Sequence, residues 1–137
     1  MEPGSTGPGA PRPKGTILLV DDEKSVRDLV RRLLELDGYA VVEAIDAEEA
    51  LRLFGSADSA LHLMVTDLSL PDLDGWELCR RIRSVQPTMP ILVISGSFDL
   101  NTMLAANAPD VGFLQKPFAP EDLYRRVNVL LGKPPSK

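Results

Sequence analysis

The sequence predicts a flavodoxin-like, doubly wound α/β fold with a five-stranded parallel sheet in the order 2-1-3-4-5. Three observations predict it. Short, nearly continuous apolar runs recur five times, as strands covered on both faces require. Between them the apolar residues take a helical period, so strands and helices alternate on short connections. The polar residues best suited to chemistry stand at the ends of those runs, where open parallel sheets collect ligands.

Residues 1–14 hold Pro3, Pro8, Pro11 and Pro13 among several glycines. So little apolar surface cannot offset the entropy of ordering, and a flexible lead-in is expected ahead of a domain at 15–132. Residues 16–20 (TILLV) form a first strand that stops at Asp21 and Asp22. From Ser25 onward, Val26, Leu29, Val30, Leu33 and Leu34 share one helical face, and Gly38 stops that helix. Residues 40–44 (AVVEA) form a second strand. Asp46 and Glu49 then make an acidic version of the capping box, opening a helix to about Phe54.

Leu61, Leu63, Met64 and Val65 lead a third strand to Asp67, after which Pro71, Asp72, Asp74 and Gly75 break the chain. Asp74 can cap a third helix with Trp76, Leu78, Cys79 and Ile82 inward and Arg80, Arg81 and Arg83 in water. Residues 91–94 (ILVI) form a fourth strand, ending at Ser95, Gly96 and Ser97. Residues 99–108 suggest a short fourth helix, limited by Asn101, Asn107 and Pro109. Residues 111–115 (VGFLQ) form a fifth strand leading into Lys116, Pro117 and Phe118. Pro120 opens a last helix with Leu123, Val127, Leu130 and Leu131 inward, and residues 133–137 are a loose tail.

Composition narrows the function. A chain of 137 residues with 44% hydrophobic residues is the size of one domain with a proper core. A net charge of −5 without a basic stripe argues against direct nucleic-acid binding. No apolar run has the length of a membrane span or the flanks of a signal peptide, and the single Cys79 excludes an internal disulfide. A soluble cytoplasmic protein without membrane insertion is expected.

Asp21, Asp22, Asp67, Ser95 and Lys116 fall at the carboxyl ends of the first, third, fourth and fifth strands. The acids meet where the strand order reverses. Three carboxylates within a few ångströms of one another repel, raising at least one pKa unless a cation neutralises them, so a metal is expected. Oxygen donors suit a hard ion, making Mg²⁺ the first choice and Mn²⁺ its surrogate. With the Lys116 ammonium and the Ser95 hydroxyl, such a site would bind the oxygens of a phosphoryl group in transfer to Asp67, leaving an acyl phosphate.

LLVDDE at 18–23, VTDLSLPDLDGWEL at 65–78, VISGS at 93–97 and GFLQKPF at 112–118, in this order and spacing, resemble the receiver domain of two-component response regulators and hybrid histidine kinases. The resemblance implies that Asp67 is the phosphoacceptor and Asp22 a direct Mg²⁺ ligand. It makes Asp21 a ligand acting chiefly through water and adds the carbonyl of Ser69 to the metal shell. Ser95 matches the switch hydroxyl that follows the phosphoryl group. Phe113 matches the aromatic switch residue that turns inward on activation. Lys116 matches the family lysine, and its bond to Pro117 is expected to be cis. Ser69 and Ser97 occupy two positions that tune dephosphorylation, and both are small and polar, which implies no shield against water.

The same resemblance implies a histidine kinase or histidine phosphotransfer protein as donor and a downstream protein as target. It implies a monomer, or a weak homodimer through the fifth strand and the helices flanking it. Such a domain is no conventional enzyme, yet it catalyses its own aspartyl phosphorylation and autodephosphorylation. Gly96 departs from the commoner Ala, and the short segment after it implies a small fourth helix.

Taken singly, these residues have blander readings. Asp21 and Asp22 could be solvated loop acids, Ser95 a satisfied strand end and Phe113 plain core. Asp72 and Asp74 read as turn and cap, not as an EF-hand, because Leu70 stands where its first acid is required. Cys79, His62 and Trp76 read as helix packing, loop surface and a partly covered helix residue. Two other functions compete with this one. A phosphatase of the haloacid-dehalogenase type needs a second acid where Ser69 stands. A phosphorylation-independent binding module usually lacks an acid or the lysine, and all are present. No output domain follows Leu131, so the chain is expected to act through another protein or to be the isolated receiver of a hybrid histidine kinase.

Overall fold

Alternating side chains along each strand decide the two faces of the sheet. Ile17 and Leu19 of β1 (Thr16–Val20) pack on one side, and Leu18 and Val20 on the other. The same division separates Leu63 and Val65 from Met64 in β3 (Leu63–Asp67), and Leu92 and Ile94 from Ile91 and Val93 in β4 (Ile91–Ser95). Both faces are covered, so these strands read as continuous apolar runs.

The computed structural model describes residues 13–56, 60–96 and 111–132. Its remaining strands are β2 (Ala40–Ala44) and β5 (Val111–Gln115), and its helices are α1 (Lys24–Leu36), α2 (Ala47–Phe54), α3 (Gly75–Val85) and α4 (Pro120–Leu131). The sheet is parallel, in the order β2-β1-β3-β4-β5. This is the flavodoxin-like order that the alternation of elements predicts. The helix expected over 99–108, Ser97 and the tail at 133–137 lie outside the described residues.

One core holds Leu78 and Ile82 of α3 with Ala47 and Ala50 of α2; the other holds Val30 and Leu34 of α1 with Leu123 and Val127 of α4. Local chemistry sets the helix ends. Asp46 accepts from Glu49 N at 2.8 Å, the cap expected there, while Glu49 reaches back to Ile45 N at 2.8 Å, one residue before the N-cap amide that a capping box uses. Asp74 accepts from Trp76 N at 2.8 Å, and Gly38, at φ +98°, ends the turn after α1.

Three expectations need correction. Leu29, read on the apolar face of the first helix with Val26 and Val30, is 55% exposed. The lead-in does not reach residue 14: Lys14 N donates to Gly38 O at 2.7 Å, and its ammonium to Asn128 Oδ1 at 3.1 Å. Arg83 does not face water; its Nε donates to Met89 O at 2.8 Å, because the chain folds back against α3 on its way to β4.

Candidate functional site

Register builds the site. Val20 pairs with Thr66, Asp67 with Ile94, and Ser95 with Gln115, so the residues ending β1, β3, β4 and β5 arrive at one edge of the sheet. There the Lys116 ammonium lies 2.9 Å from Asp67 Oδ2 and 3.8 Å from Asp21 Oδ2. Lys116 N donates to Ser95 O at 2.8 Å, which fixes the lysine's backbone to the end of β4. Its bond to Pro117 is cis.

Asp21, Asp67 and Ser95 are buried. Asp67 Oδ1 accepts from Ser69 N at 3.1 Å, and Asp21 Oδ1 accepts from Glu23 N at 2.9 Å. Burial pushes the Asp21 carboxyl up from its ordinary range, and the charges of Asp67 and Asp22 add to this against the Glu23 amide and Lys116. Burial works against the Lys116 charge. The bond to Asp67 and the attraction of Asp67, Asp21 and Glu23 together outweigh it, so its pKa is raised.

The expected convergence of three acids is incomplete. Asp21 turns into the pocket, whereas Asp22, the next residue, is exposed, as successive side chains leaving a strand point to opposite sides. Among the described residues, no three His, Cys, Asp or Glu side chains stand ready to hold a metal. The donor set still fits a hard divalent cation. It consists of oxygens, and two largely buried carboxylates share one ammonium, which leaves net negative charge in a poorly solvated place.

Phe113 is 9% exposed and packs in the core on the α3 side. Its carbonyl accepts from Arg126 Nη1 at 2.6 Å, tying β5 to α4 at that residue. Ser69 is exposed beside the pocket.

Asp72, Arg27 and Glu43 escaped the sequence reading. Asp72, read as a turn residue, accepts from Ala47 N at 3.0 Å and Glu48 N at 2.9 Å, capping α2 from the loop that follows Asp67. Those bonds draw its carboxyl below its ordinary range against the effect of desolvation. Arg27 donates to Asp21 O at 2.9 Å and to Glu43 Oε1 at 3.0 Å. The contacts of Asp72 and the Arg27–Glu43 pair join segments that only the fold brings together, so no sequence signal pointed to them.

The family model described as the response regulator receiver domain matches residues 17–128. Response regulator MprA of Mycobacterium sp. (strain KMS) is 42% identical over 118 residues, spanning 84% of this chain and 50% of that protein. The chain thus spans about half the length of such curated relatives. Among solved structures, a response regulator receiver domain protein from Clostridium thermocellum matches with a TM-score of 0.79 and 31% identity, over 86% of this chain and 94% of that one. The receiver domain of NtrX from Brucella abortus matches with a TM-score of 0.76 and 33% identity, over 86% and 99%.

Proposed function

The chain belongs to the response regulator receiver domain family, and on that premise we propose that it is a phosphoacceptor switch whose Asp67 takes a phosphoryl group from a histidine kinase or histidine phosphotransfer protein. The observation that carries this reading is the Lys116 ammonium set between Asp67 at 2.9 Å and Asp21 at 3.8 Å. An Asp67 oxygen attacks phosphorus as the bond from phosphorus to the donor's nitrogen or oxygen breaks, and the product is an acyl phosphate. Lys116 moves its charge from the carboxylate to a phosphoryl oxygen, and the Ser69 amide keeps the carboxylate oriented. Mg²⁺, held by Asp21, Asp22, Asp67 and the Ser69 carbonyl, would supply charge neutralisation when bound, with Mn²⁺ as its surrogate.

The switch itself runs through Ser95 and Lys116. Each contacts the new phosphoryl group, and their backbones are already bonded at the ends of β4 and β5. Phosphorylation favours the arrangement in which Phe113 lies inward, changing the surface of β5 and its flanking helices for a downstream protein. Ser69, small and exposed, leaves water access to the acyl phosphate. A receiver belonging to a hybrid histidine kinase would use the same chemistry.

Acetyl phosphate with Mg²⁺ should add one phosphoryl group to the wild type, and Asp67→Asn should abolish the addition. Intact mass measured under mildly acidic conditions reads it. A wild type left unmodified by small donors and by a panel of histidine kinases would instead support a phosphorylation-independent binding module.

A further inference from the structure

The geometry points to Arg27 as the positioning residue for the Asp21–Asp22 turn, with Glu43 holding Arg27 in that role, so that cation binding depends on a side chain that is not itself a ligand. This rests on the reading proposed above. Arg27 is on α1, its side chain only 12% exposed. Its Nη1 donates to Asp21 O at 2.9 Å while its Nε donates to Glu43 Oε1 at 3.0 Å. Glu43, on β2, gives its other oxygen to Arg31 Nη1 at 2.7 Å and is thereby fixed from two sides.

The contact reaches both acids. Asp21 N donates to Ala44 O at 3.1 Å, Asp21 Oδ1 accepts from Glu23 N, and Asp21 O accepts from Arg27. Asp21 Oδ2 is the atom left turned towards Lys116, 3.8 Å away. The carbonyl of Asp21 and the amide of Asp22 lie in one rigid plane. By fixing that carbonyl, Arg27 sets the direction from which the exposed Asp22 side chain must reach the pocket. A guanidinium can serve a carbonyl and a carboxylate together through its planar fork; a lysine, a point charge on a flexible stem, cannot reproduce that geometry. Partners that orient ligands, rather than bind the metal, typically control its affinity by 10- to 100-fold.

The test is calorimetric titration of Mg²⁺ into the metal-free full chain as wild type, Arg27→Lys, Glu43→Gln and the double variant, each below its own thermal midpoint in chelator. Arg27→Lys should weaken Mg²⁺ binding on the order of tenfold, and Glu43→Gln by less. The double variant should be no weaker than Arg27→Lys alone, because Glu43 acts through Arg27. A merely structural pair would lower the midpoints and leave the affinities unchanged, which would overturn the inference; additive losses would overturn the route through Glu43. If Arg27→Lys does not fold, the affinity of Glu43→Gln decides alone. Wild type that binds Mg²⁺ and accepts a phosphoryl group while both variants bind equally well sinks this inference only. Wild type that does neither sinks the phosphoacceptor reading as well.

Discussion

The Lys116 ammonium stands 2.9 Å from Asp67 Oδ2, one cation serving two carboxylates that come from strands paired side by side. Removing it separates acceptance from response. Lys116→Ala should still gain a phosphoryl group from acetyl phosphate, more slowly, but amide hydrogen exchange over residues 111–118 should no longer change on phosphorylation. An exchange response equal to that of wild type would contradict the role given to the lysine.

Asp21 should cost stability at neutral pH. Its folded pKa is raised, burial being the largest cause, so the folded protein holds that proton more tightly than the unfolded chain. The corresponding stabilisation is complete below the ordinary carboxylate pKa and is lost as pH rises through the raised value. Asp21→Asn should therefore be more stable than metal-free wild type at pH 7. The advantage should shrink on acidification and on adding Mg²⁺. Urea unfolding at several pH values measures it, and a constant difference would refute the cause.

Two glycines beside the pocket should respond in opposite ways. A Cβ on Gly75 would lie 2.6 Å from Leu68 Cα and 2.7 Å from Asp67 O, both backbone atoms at the point where the chain leaves β3. Gly75→Ala should cost about 1–3 kcal/mol and slow phosphoryl acceptance. A Cβ on Gly96 meets nothing within 4 Å. Gly96→Ala should be neutral, or stabilising by up to about 1 kcal/mol through the unfolded chain. Equal midpoint shifts in urea would count against both.

Asn128 is buried at the centre of a polar cluster at the other end of the sheet. Its Oδ1 accepts from Tyr39 OH at 2.5 Å and from Lys14 Nζ at 3.1 Å, and its Nδ2 donates to Asp37 Oδ2 at 2.8 Å and Tyr124 O at 2.6 Å. Burial, with the charge of Asp37, pushes the Tyr39 phenol up to about 12. Asn128→Leu keeps the branched outline and removes these partners, so it should destabilise by about 2–4 kcal/mol. A thermal midpoint close to wild type would show that the cluster contributes little.

Cys79 should be silent to alkylation. Burial pushes its thiol up to about 12, leaving almost no thiolate at pH 8. Iodoacetamide should leave the folded protein unmodified over hours and label it once in denaturant, as read by mass; rapid labelling of the folded protein would mean that α3 opens readily.

Strand ends and most of the inner face of each helix were legible along the chain, because period and run length follow from the pleat and the helical turn. From Val20, Val65 and Ile94 onward, the polar endings Asp21, Asp67 and Ser95 were therefore legible as neighbours on one edge. Which polar groups meet was set only when the segments packed together. Asp22 stays outside while Asp21 turns in; Arg27 reaches the Asp21 carbonyl; Asp72 caps a helix 25 residues before it; Asn128 gathers Tyr39 from 89 residues away. Apolar pattern is a property of one segment and can be read along it. A hydrogen bond needs two segments within about 3 Å and correctly aimed, and only the assembled sheet sets that distance.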